Sequence, residues 1–432
     1  MQKYMRWSGL LVVLMLVLAA CQSGSGSSTA ASAGASAGAS AGGDDPTAVC
    51  EADEFGCVEI AEGEPIVLGT ALVITTADAD LGQDSQYGAH VAGDLRNDDG
   101  GIKGHQIEWD DQDDQCGAEG GTAAARALVA DPQIVAVVGT SCSGAGIPAA
   151  QITSEAGVLM VSPSNTAPSL TAAETHEPFY ARTAHNDKVQ GAAMATFICE
   201  EHPEITSAAT LHDGSPYAEQ LQAVFQLEFE EQCGGETVYA GAVDDDETNF
   251  TDPLDDIAAA GAQMVYYPIF TAGGAAMTQQ ARERAEFDDV LLAGADGMQS
   301  QTFLETVGAA GDGLFTSGPD LAFENSFYQD TFLPAYYELC GCDATLSVFH
   351  AHAFDAASLI MDAIDTVSIE GDDGTLYVPR TALRDEFFAT TDYEGITGSL
   401  TCDEYGDCAD PKISVSLIGA DGTYERIWPP EE

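Results

Sequence analysis

The sequence predicts an α/β protein built as two successive halves, each around a parallel sheet. Short apolar segments alternate with helical segments from residue 65 to residue 293. Continuous apolar runs of this kind are typical of buried parallel strands, and short connections between alternating strands and helices imply right-handed crossovers. The pattern restarts after Arg182, which indicates two lobes of similar size.

The first half contains four predicted strands and three predicted helices. Its first helix stops at two glycines, Gly100 and Gly101, which are residues that commonly end helices. The strands are predicted at 65–74, 106–111, 134–139 and 158–161, and the helices at 85–97, 120–130 and 145–155.

The second half repeats the pattern and is followed by additional elements. Helices are predicted at 188–201, 216–231, 252–260 and 275–284, and strands at 207–212, 237–242, 264–269 and 290–293. Beyond residue 318, two more helices are predicted at 327–338 and 349–367. The tail, 396–427, is predicted to be a hairpin with Tyr405-Gly406-Asp407 at its turn.

Two predicted strands of the first half end in small polar residues. The apolar run at 134–139 leads into Ser141 and Ser143, and the run at 158–161 leads into Ser164-Asn165-Thr166. In open α/β sheets, ligands bind just beyond the carboxyl ends of the strands. The sequence therefore predicts a recognition surface for a small polar ligand at this edge of the sheet.

The N-terminal segment is predicted to direct export. Lys3 and Arg6 precede an apolar run at 10–18 that is too short for a spanning helix. The run ends in Leu18-Ala19-Ala20-Cys21, which resembles a bacterial lipobox. We therefore expect a signal peptide at 1–20 and a lipid on Cys21 that anchors the chain to the outer face of the cell membrane. The alternative is an ordinary secretory signal with an incidental cysteine.

Residues 21–64 are predicted to be a flexible linker, rich in Ser, Gly and Ala, with a small cysteine-containing lead-in at its end. The folded part is then expected to begin near Pro65.

The chain is strongly acidic, with 71 Asp and Glu against 13 Lys and Arg and a formal net charge of −58. This charge excludes a general nucleic-acid binder, which needs the opposite sign. Adaptation of an exported protein to high salt or acidic surroundings accounts for it. Cation binding by the acidic runs at 110–114 and 244–247 is the alternative, although neither run has the spacing of a calcium loop.

The cysteines are expected to form disulfides. Eleven are present, and removing Cys21 leaves ten, an even number in an exported chain. Proximity predicts the pairs Cys50 with Cys57, Cys116 with Cys142, Cys199 with Cys233, and Cys402 with Cys408. Cys340 and Cys342 remain; a bond across one residue would be strained, so free thiols are the alternative there.

Short motifs follow one another along the chain at 100–104, 109–111, Cys116 with Cys142-Ser143, 161–168, Leu170-Thr171, 265–267, 294–297 and 353–356. In their order and spacing they resemble the motifs of periplasmic binding proteins of the branched-chain amino acid type, and the likeness extends over residues 65–427. The resemblance implies two Rossmann-like lobes, joined by three crossovers, that close on a ligand. It assigns 65–183 plus 318–395 to the N-terminal lobe and 184–317 plus 396–432 to the C-terminal lobe.

The resemblance also implies the ligand-binding residues. Ser143, Ser164, Asn165 and Thr166 align with positions that hold an α-carboxylate and help to orient the amino group. Asp296 aligns with the acid that receives the ligand ammonium, and Phe270 aligns with an aromatic wall. Leu81 departs from the pattern, because amino-acid-binding relatives often carry Tyr there. The plainer interpretations are helix caps for Ser143 and Thr166, a turn residue for Asp296 and core packing for Phe270.

The function implied is that of a solute-binding protein, without a cofactor, that delivers a small amino acid to an ABC transporter permease. A short amide, urea or carboxylate ligand, or a role as a surface sensor, are the alternatives. A secreted hydrolase is disfavoured, because the segment Gly139 to Ser143 lacks the final glycine of a nucleophile elbow. His350 and His352 are two apart, not the four apart of a zinc helix.

Overall fold

The computed structural model describes residues 46–430. The predicted signal peptide, Cys21 and the repetitive part of the linker lie outside these residues. The described chain begins with helix α1 (Pro46–Ala52) and strand β1 (Cys57–Ile60). Val58 and Ile60 are buried in the first hydrophobic core. The fold therefore begins earlier than the predicted Pro65, because the lead-in contributes apolar residues to that core.

The first sheet has five parallel strands in the order β3-β2-β4-β5-β6. All six residues of its central strand β4 are buried, which explains its uninterrupted apolar sequence. The order changes direction between β2 and β4, and this switch point is where ligands bind in open α/β sheets. The elements are β2 (Ile66–Leu72), α2 (Ala79–Asp98), β3 (Ile107–Asp113), α3 (Ala118–Ala130), β4 (Ile134–Gly139), α4 (Ser143–Glu155), β5 (Leu159–Ser162) and β6 (Tyr180–Arg182).

The second sheet repeats this topology, since its parallel strands run β8-β7-β9-β10-β11. Its switch point lies between β7 and β9. The elements are α5 (Asp187–Glu201), β7 (Ser207–His212), α6 (Pro216–Cys233), β8 (Glu236–Ala242), α7 (Thr251–Ala260), β9 (Met264–Tyr266), α8 (Thr271–Arg282), β10 (Leu291–Gly294), α9 (Gln301–Val307) and β11 (Phe315–Pro319).

The remaining elements complete both halves. They are α10 (Leu333–Cys340), α11 (His350–Val367), β12 (Ile369–Glu370), β13 (Leu376–Pro379), α12 (Arg380–Phe388), β14 (Tyr393–Glu394), β15 (Ser399–Leu400), β16 (Ile413–Ile418) and β17 (Tyr424–Trp428). Strands β1, β13 and β12 form a small antiparallel sheet, and β14 pairs with β15. Strands β16 and β17 extend the second sheet beyond β11 in antiparallel fashion.

The C-terminal hairpin is shorter than predicted. Its strands are β16 and β17, so its turn lies at 419–423 rather than at Tyr405-Gly406-Asp407. The Tyr405 to Asp407 segment does turn, but within a small loop closed by the Cys402–Cys408 disulfide. The sequence signal for a turn was therefore correct and its assignment to the hairpin was wrong.

Each sheet has its own hydrophobic core. The first core contains Ile66 and Leu68 of β2 together with Ile360 of α11, so the chain returns to the first sheet after β11. Leu400 and Cys408 also lie in this core. This packing places the last passage to the second sheet after Cys408, later than the boundary at residue 396 that the resemblance implied.

All four predicted disulfides are confirmed, namely Cys50–Cys57, Cys116–Cys142, Cys199–Cys233 and Cys402–Cys408. Cys340 and Cys342 are also bonded to each other, which overturns the alternative of free thiols. Between residues 46 and 430, none of the helices combines the length and apolar character needed to cross a membrane.

Candidate functional site

The loops that follow β4 and β5 form one wall of the candidate site. Ser143 is the first residue of α4, and its Oγ accepts a hydrogen bond from the Ala167 backbone N–H at 3.1 Å. Ser164 Oγ donates to the Ser141 carbonyl at 2.9 Å. Both serines are buried. These two bonds join the loops into a single rigid edge beside the switch point of the first sheet.

Asn165 and Thr166 are adjacent but use their side chains differently. The Asn165 amide donates to the Thr140 carbonyl at 3.0 Å and accepts from the Thr140 hydroxyl at 3.0 Å. The Thr166 hydroxyl is buried without a hydrogen-bond partner. Buried polar groups are almost always partnered in folded proteins. The Thr166 hydroxyl is therefore not engaged within its own loop, whereas the Asn165 side chain holds that loop in place.

A disulfide braces the loop in front of Ser143. Cys142 is bonded to Cys116, with the Cα atoms 4.9 Å apart. The buried Asp114 carboxylate accepts from the backbone N–H groups of Cys116 at 2.7 Å and Ser141 at 2.6 Å. Burial raises the pKa of Asp114 to about 7, despite these hydrogen bonds. The position of Ser143 is thus set by covalent and polar contacts together.

Asp296 lies in the turn after β10, on the side of the second sheet. Its Oδ1 accepts from the Tyr217 hydroxyl at 2.8 Å and from Gln190 Nε2 at 2.6 Å. Burial raises the pKa of Asp296 to about 6, since it outweighs the effect of these donors. The side chain is buried and anchored, unlike that of an ordinary solvent-exposed turn residue.

Asp187 is a second buried acid that the sequence reasoning missed. It begins α5, is fully buried, and has no hydrogen-bond partner on either carboxylate oxygen. Its pKa is raised well above the usual value by burial and by the charge of Asp296, while the Thr166 hydroxyl and Arg182 oppose this shift. An acid in the first turn of a helix is common, so the sequence offered no signal to separate Asp187 from a helix-capping residue.

Two tyrosines complete the acidic side of the site. Burial raises the pKa of Tyr217 and of Tyr266 well above the ordinary value, and the charges of Asp187 and Asp296 add to the effect in both. The Tyr266 hydroxyl is buried without a partner. The two acids and the two hydroxyls therefore form one cluster, drawn from α5, α6, β9 and the turn after β10.

Arg182 lies near Asp187, but its guanidinium group bonds other partners. Its Nε donates to Asp407, and its Nη1 donates to the carbonyls of Asn165 at 3.1 Å and Ala167 at 2.9 Å. Arg182 thus fixes the loop that carries Thr166. It leaves the two acids without a directly bonded cation among the described residues.

Phe270 forms an apolar wall that reaches across to the first half. Its ring centroid lies 5.2 Å from that of Tyr217. It also packs against a cluster from the first half that includes Leu81, Val348 and Phe349. Phe270 is half-buried and contacts both halves, so its role is wider than packing in the core of the second sheet.

Hydrogen bonds between the two halves hold them close together. Asp78 accepts from the Thr271 backbone N–H at 3.1 Å, and Asp80 accepts from the Thr302 N–H at 2.7 Å. The N–H groups belong to the first turns of α8 and α9, whose positive dipole ends favour carboxylates. These bonds therefore connect the start of α2 in the first half with α8 and α9 in the second half.

The chemistry of the site favours binding of a zwitterion. Two buried carboxylates can accept from an ammonium group, and hydroxyl and N–H donors on the opposite wall can satisfy a carboxylate. The Ser143 hydroxyl bonds a backbone amide rather than a histidine. Within residues 46–430, no group of three or more His, Cys, Asp or Glu side chains is arranged to hold a metal ion.

The sequence of the chain also matches a known protein family. The model of the family described as periplasmic binding protein matches residues 65–406. The Leu/Ile/Val-binding protein homolog 3 of Brucella melitensis is 28% identical over 352 residues, which are 81% of this chain and 90% of that protein.

Solved structures show the same fold. The branched-chain amino acid transporter substrate-binding protein LivJ of Streptococcus pneumoniae, in complex with isoleucine, superposes with a TM-score of 0.72 at 23% identity, covering 84% of this chain and 99% of that one. An ABC transporter solute-binding protein of R. palustris, in complex with benzoate, gives a TM-score of 0.71 at 19% identity, covering 84% and 95%. With its two parallel sheets of matching strand order, this chain belongs to the periplasmic binding protein family and has the type I fold.

Proposed function

We propose that the protein is the extracytoplasmic solute-binding component of an ABC importer and captures a small amino acid by closure of its two lobes. The observation that carries the proposal is the pair of buried acids: Asp187, without a hydrogen-bond partner, and Asp296, with one oxygen anchored. Buried charges are normally paired, and a ligand ammonium would pair with both. The relatives named for leucine, isoleucine and valine binding support a branched-chain amino acid as the first ligand to test.

The opposite wall would receive the α-carboxylate. Ser143 and Ser164 lie on loops that their own hydrogen bonds fix in place, and Thr166 presents an unpartnered hydroxyl. The Ser143 and Thr166 hydroxyls could donate charge-assisted hydrogen bonds, which satisfy an anion without a buried cation. The Ser164 hydroxyl already donates to the Ser141 carbonyl and would only support the loop. The apolar residues Leu81, Phe270 and Phe349 would then contact the ligand side chain.

Calorimetric titration of the purified protein with the standard amino acids tests the proposal. We expect at least one of leucine, isoleucine and valine to bind with one-to-one stoichiometry. A folded protein that binds none of the standard amino acids would contradict the proposal of an amino acid ligand.

A ligand that lacks the amino group is the second candidate. The relative that binds benzoate shows that this fold also accommodates a carboxylate without an ammonium. Here, however, such a ligand would leave two buried acids without a cationic partner. Titration with benzoate and 4-methylpentanoate separates the two candidates. If either acid binds and no amino acid does, the ligand without an amino group is favoured.

Membrane attachment belongs to the same proposal. Lipid on Cys21 would keep the binding protein beside its permease, and the long linker would let it reach the membrane surface. Expression in a bacterium with Cys21→Ser should release the protein from the membrane fraction. Unchanged membrane association of that variant would contradict lipidation at this position. Uptake by vesicles that contain the permease distinguishes transport from a purely sensory role.

A further inference from the structure

Gln190 lies between Asp296 and two segments in which the chain passes from one lobe to the other. One of these segments contains His185 and the other follows Ser317. It lies on α5, three residues after Asp187, so the two side chains share one face of the helix. The side chain is fully buried. Its amide nitrogen donates to Asp296 Oδ1 at 2.6 Å.

The same amide reaches the second connection. Gln190 Nε2 also lies 3.1 Å from the Ser317 carbonyl and 3.2 Å from the Ser317 hydroxyl. Ser317 is in β11, just before the chain leaves the second sheet for the first. The two amide hydrogens can thus serve Asp296 and Ser317 at once.

The amide oxygen contacts the first connection. Because a carboxylate only accepts, the nitrogen of Gln190 must face Asp296 and the oxygen must face His185 Nε2, which donates to it. His185 lies between β6 of the first sheet and α5 of the second. Burial lowers the pKa of His185 to about 4, so the ring is neutral at pH 7 and carries its proton on Nε2.

We propose that Gln190 is a positioning residue that orients Asp296 toward the ligand ammonium and links that acid to the two segments through which the lobes are joined. The inference rests on the proposed function. Tyr217 and Gln190 both bond Oδ1, so together they aim Oδ2 at the ligand. Movement of Asp296 on ligand binding would be transmitted through one rigid amide to His185 and Ser317.

A double-mutant cycle tests this role. Gln190→Met keeps the length of the side chain but removes its hydrogen bonds to Asp296, Ser317 and His185. With L-leucine as the probe, or another amino acid that the wild type binds, we expect a loss of affinity of about 10- to 100-fold, typical of a hydrogen bond to a charged group. In an Asp296→Asn background the same change should have little further effect, because Gln190 acts through Asp296.

The pH dependence of ligand affinity separates a positioning role from a general structural role, because only a change at Asp296 should shift it. The Gln190 amide lowers the pKa of Asp296, so Gln190→Met should shift the pH at which affinity is half lost to a higher value. Gln226→Met is the matched control, since Gln226 bonds Thr210 and does not contact Asp296. It should leave affinity and pH profile unchanged.

The outcomes are distinguishable. If the wild type binds no amino acid, the proposed function fails. If the wild type binds but the losses of affinity from Gln190→Met and Asp296→Asn simply add, or the pH midpoint of affinity is unchanged, Gln190 has no positioning role.

The melting temperature of each variant identifies any that fail to fold. Gln190→Glu, which keeps the acceptor for His185, then serves as the second variant. It should also lose affinity, because a carboxylate cannot donate to Asp296 Oδ1 and therefore cannot orient that acid, and unchanged affinity would contradict the inference.

Discussion

The backbone N–H of Asp187 donates to the carbonyl of Thr166 at 2.9 Å. This bond ties the start of α5 to the loop after β5, so the Asp187 carboxylate and the Thr166 hydroxyl, both buried, lie close to each other. The two residues come from different halves of the predicted fold. Their contact joins the two sides of the candidate ligand site.

Asp187→Asn should weaken amino acid binding and stabilise the ligand-free protein. Affinity should fall by about 2–5 kcal/mol, the range for removing one partner of a buried charge pair. The pKa of Asp187 is raised on folding. Burying its carboxylate therefore opposes folding at every pH above the pKa of Asp in the unfolded chain, and the neutral amide of Asn avoids this cost. Calorimetry measures affinity and thermal unfolding measures stability.

Asp94→Asn is the matched control for this pair of effects, since Asp94 is exposed on α2. It should change neither quantity by more than about 0.5 kcal/mol. A loss of stability in Asp187→Asn without loss of affinity would contradict a role in ligand binding.

Ligand affinity should depend on pH near 6. The pKa of Asp296 is raised to about 6 by burial, so the acid is charged above this pH and protonated below it. An ammonium ligand prefers the charged form, so affinity should fall as the pH drops through 6. Titration from pH 4.5 to 8 should show this decline, and Asp296→Asn should flatten it. A wild-type profile that is flat over this range would count against Asp296 as the ammonium acceptor.

Asp84 should contribute to stability in a pH-dependent way. It is fully buried and accepts from His350 N–H at 2.7 Å and Phe349 N–H at 2.9 Å at the start of α11. Burial alone would raise the pKa of Asp84, but the charge of His350 and the hydrogen bonds lower it. The stabilisation is therefore complete above the unfolded value of about 3.9 and is lost as the pH falls below it.

Asp84→Ala should reduce the free energy of unfolding at pH 7 by about 3–5 kcal/mol, because it leaves a buried partner unpaired. The difference from wild type should shrink near pH 3. Urea unfolding at both pH values measures this, with the exposed Asp98→Ala on α2 as the control. An equal difference at both pH values would show that packing, not charge, accounts for the loss.

Salt should stabilise the protein. The chain carries 71 acidic and 13 basic residues, and screening reduces repulsion between exposed charges. The melting temperature should rise between 0.1 M and 1 M NaCl, and replacing the exposed Asp244, Asp245 and Asp246 with Asn should reduce the slope. If the variant keeps the full slope, repulsion at this acidic run does not contribute to the salt effect.

The fold followed from the sequence because its determinants are local. The uninterrupted apolar run of β4 reflects a strand that is buried along its whole length, and the polar residues after it mark the edge of the sheet. The four disulfides also followed, since each joins cysteines that are close in the chain. The hairpin turn was misplaced for a physical reason: Gly406 has the conformation of a turn, with φ of 89°, but only tertiary contacts decide which strands flank it.

The site was less accessible to sequence reasoning. The loops that carry Ser143 and Thr166 could be predicted, because strand ends of a parallel sheet are binding edges. Asp187 could not, since an acid at the start of a helix has a common local explanation and its burial arises from contacts with the other lobe. Asn165 and Thr166 are likewise distinguished only by tertiary contacts, since the Asn165 amide bonds Thr140 and the Thr166 hydroxyl has no such bond within its loop.

A crystal structure with the bound amino acid would show directly which groups hold the ligand ammonium. We expect the ligand nitrogen within about 2.7–3.2 Å of carboxylate oxygens of both Asp187 and Asp296, with the ligand carboxylate against Ser143 and Thr166. A ligand bound with its nitrogen away from both acids, or bound outside the space between the two lobes, would contradict it.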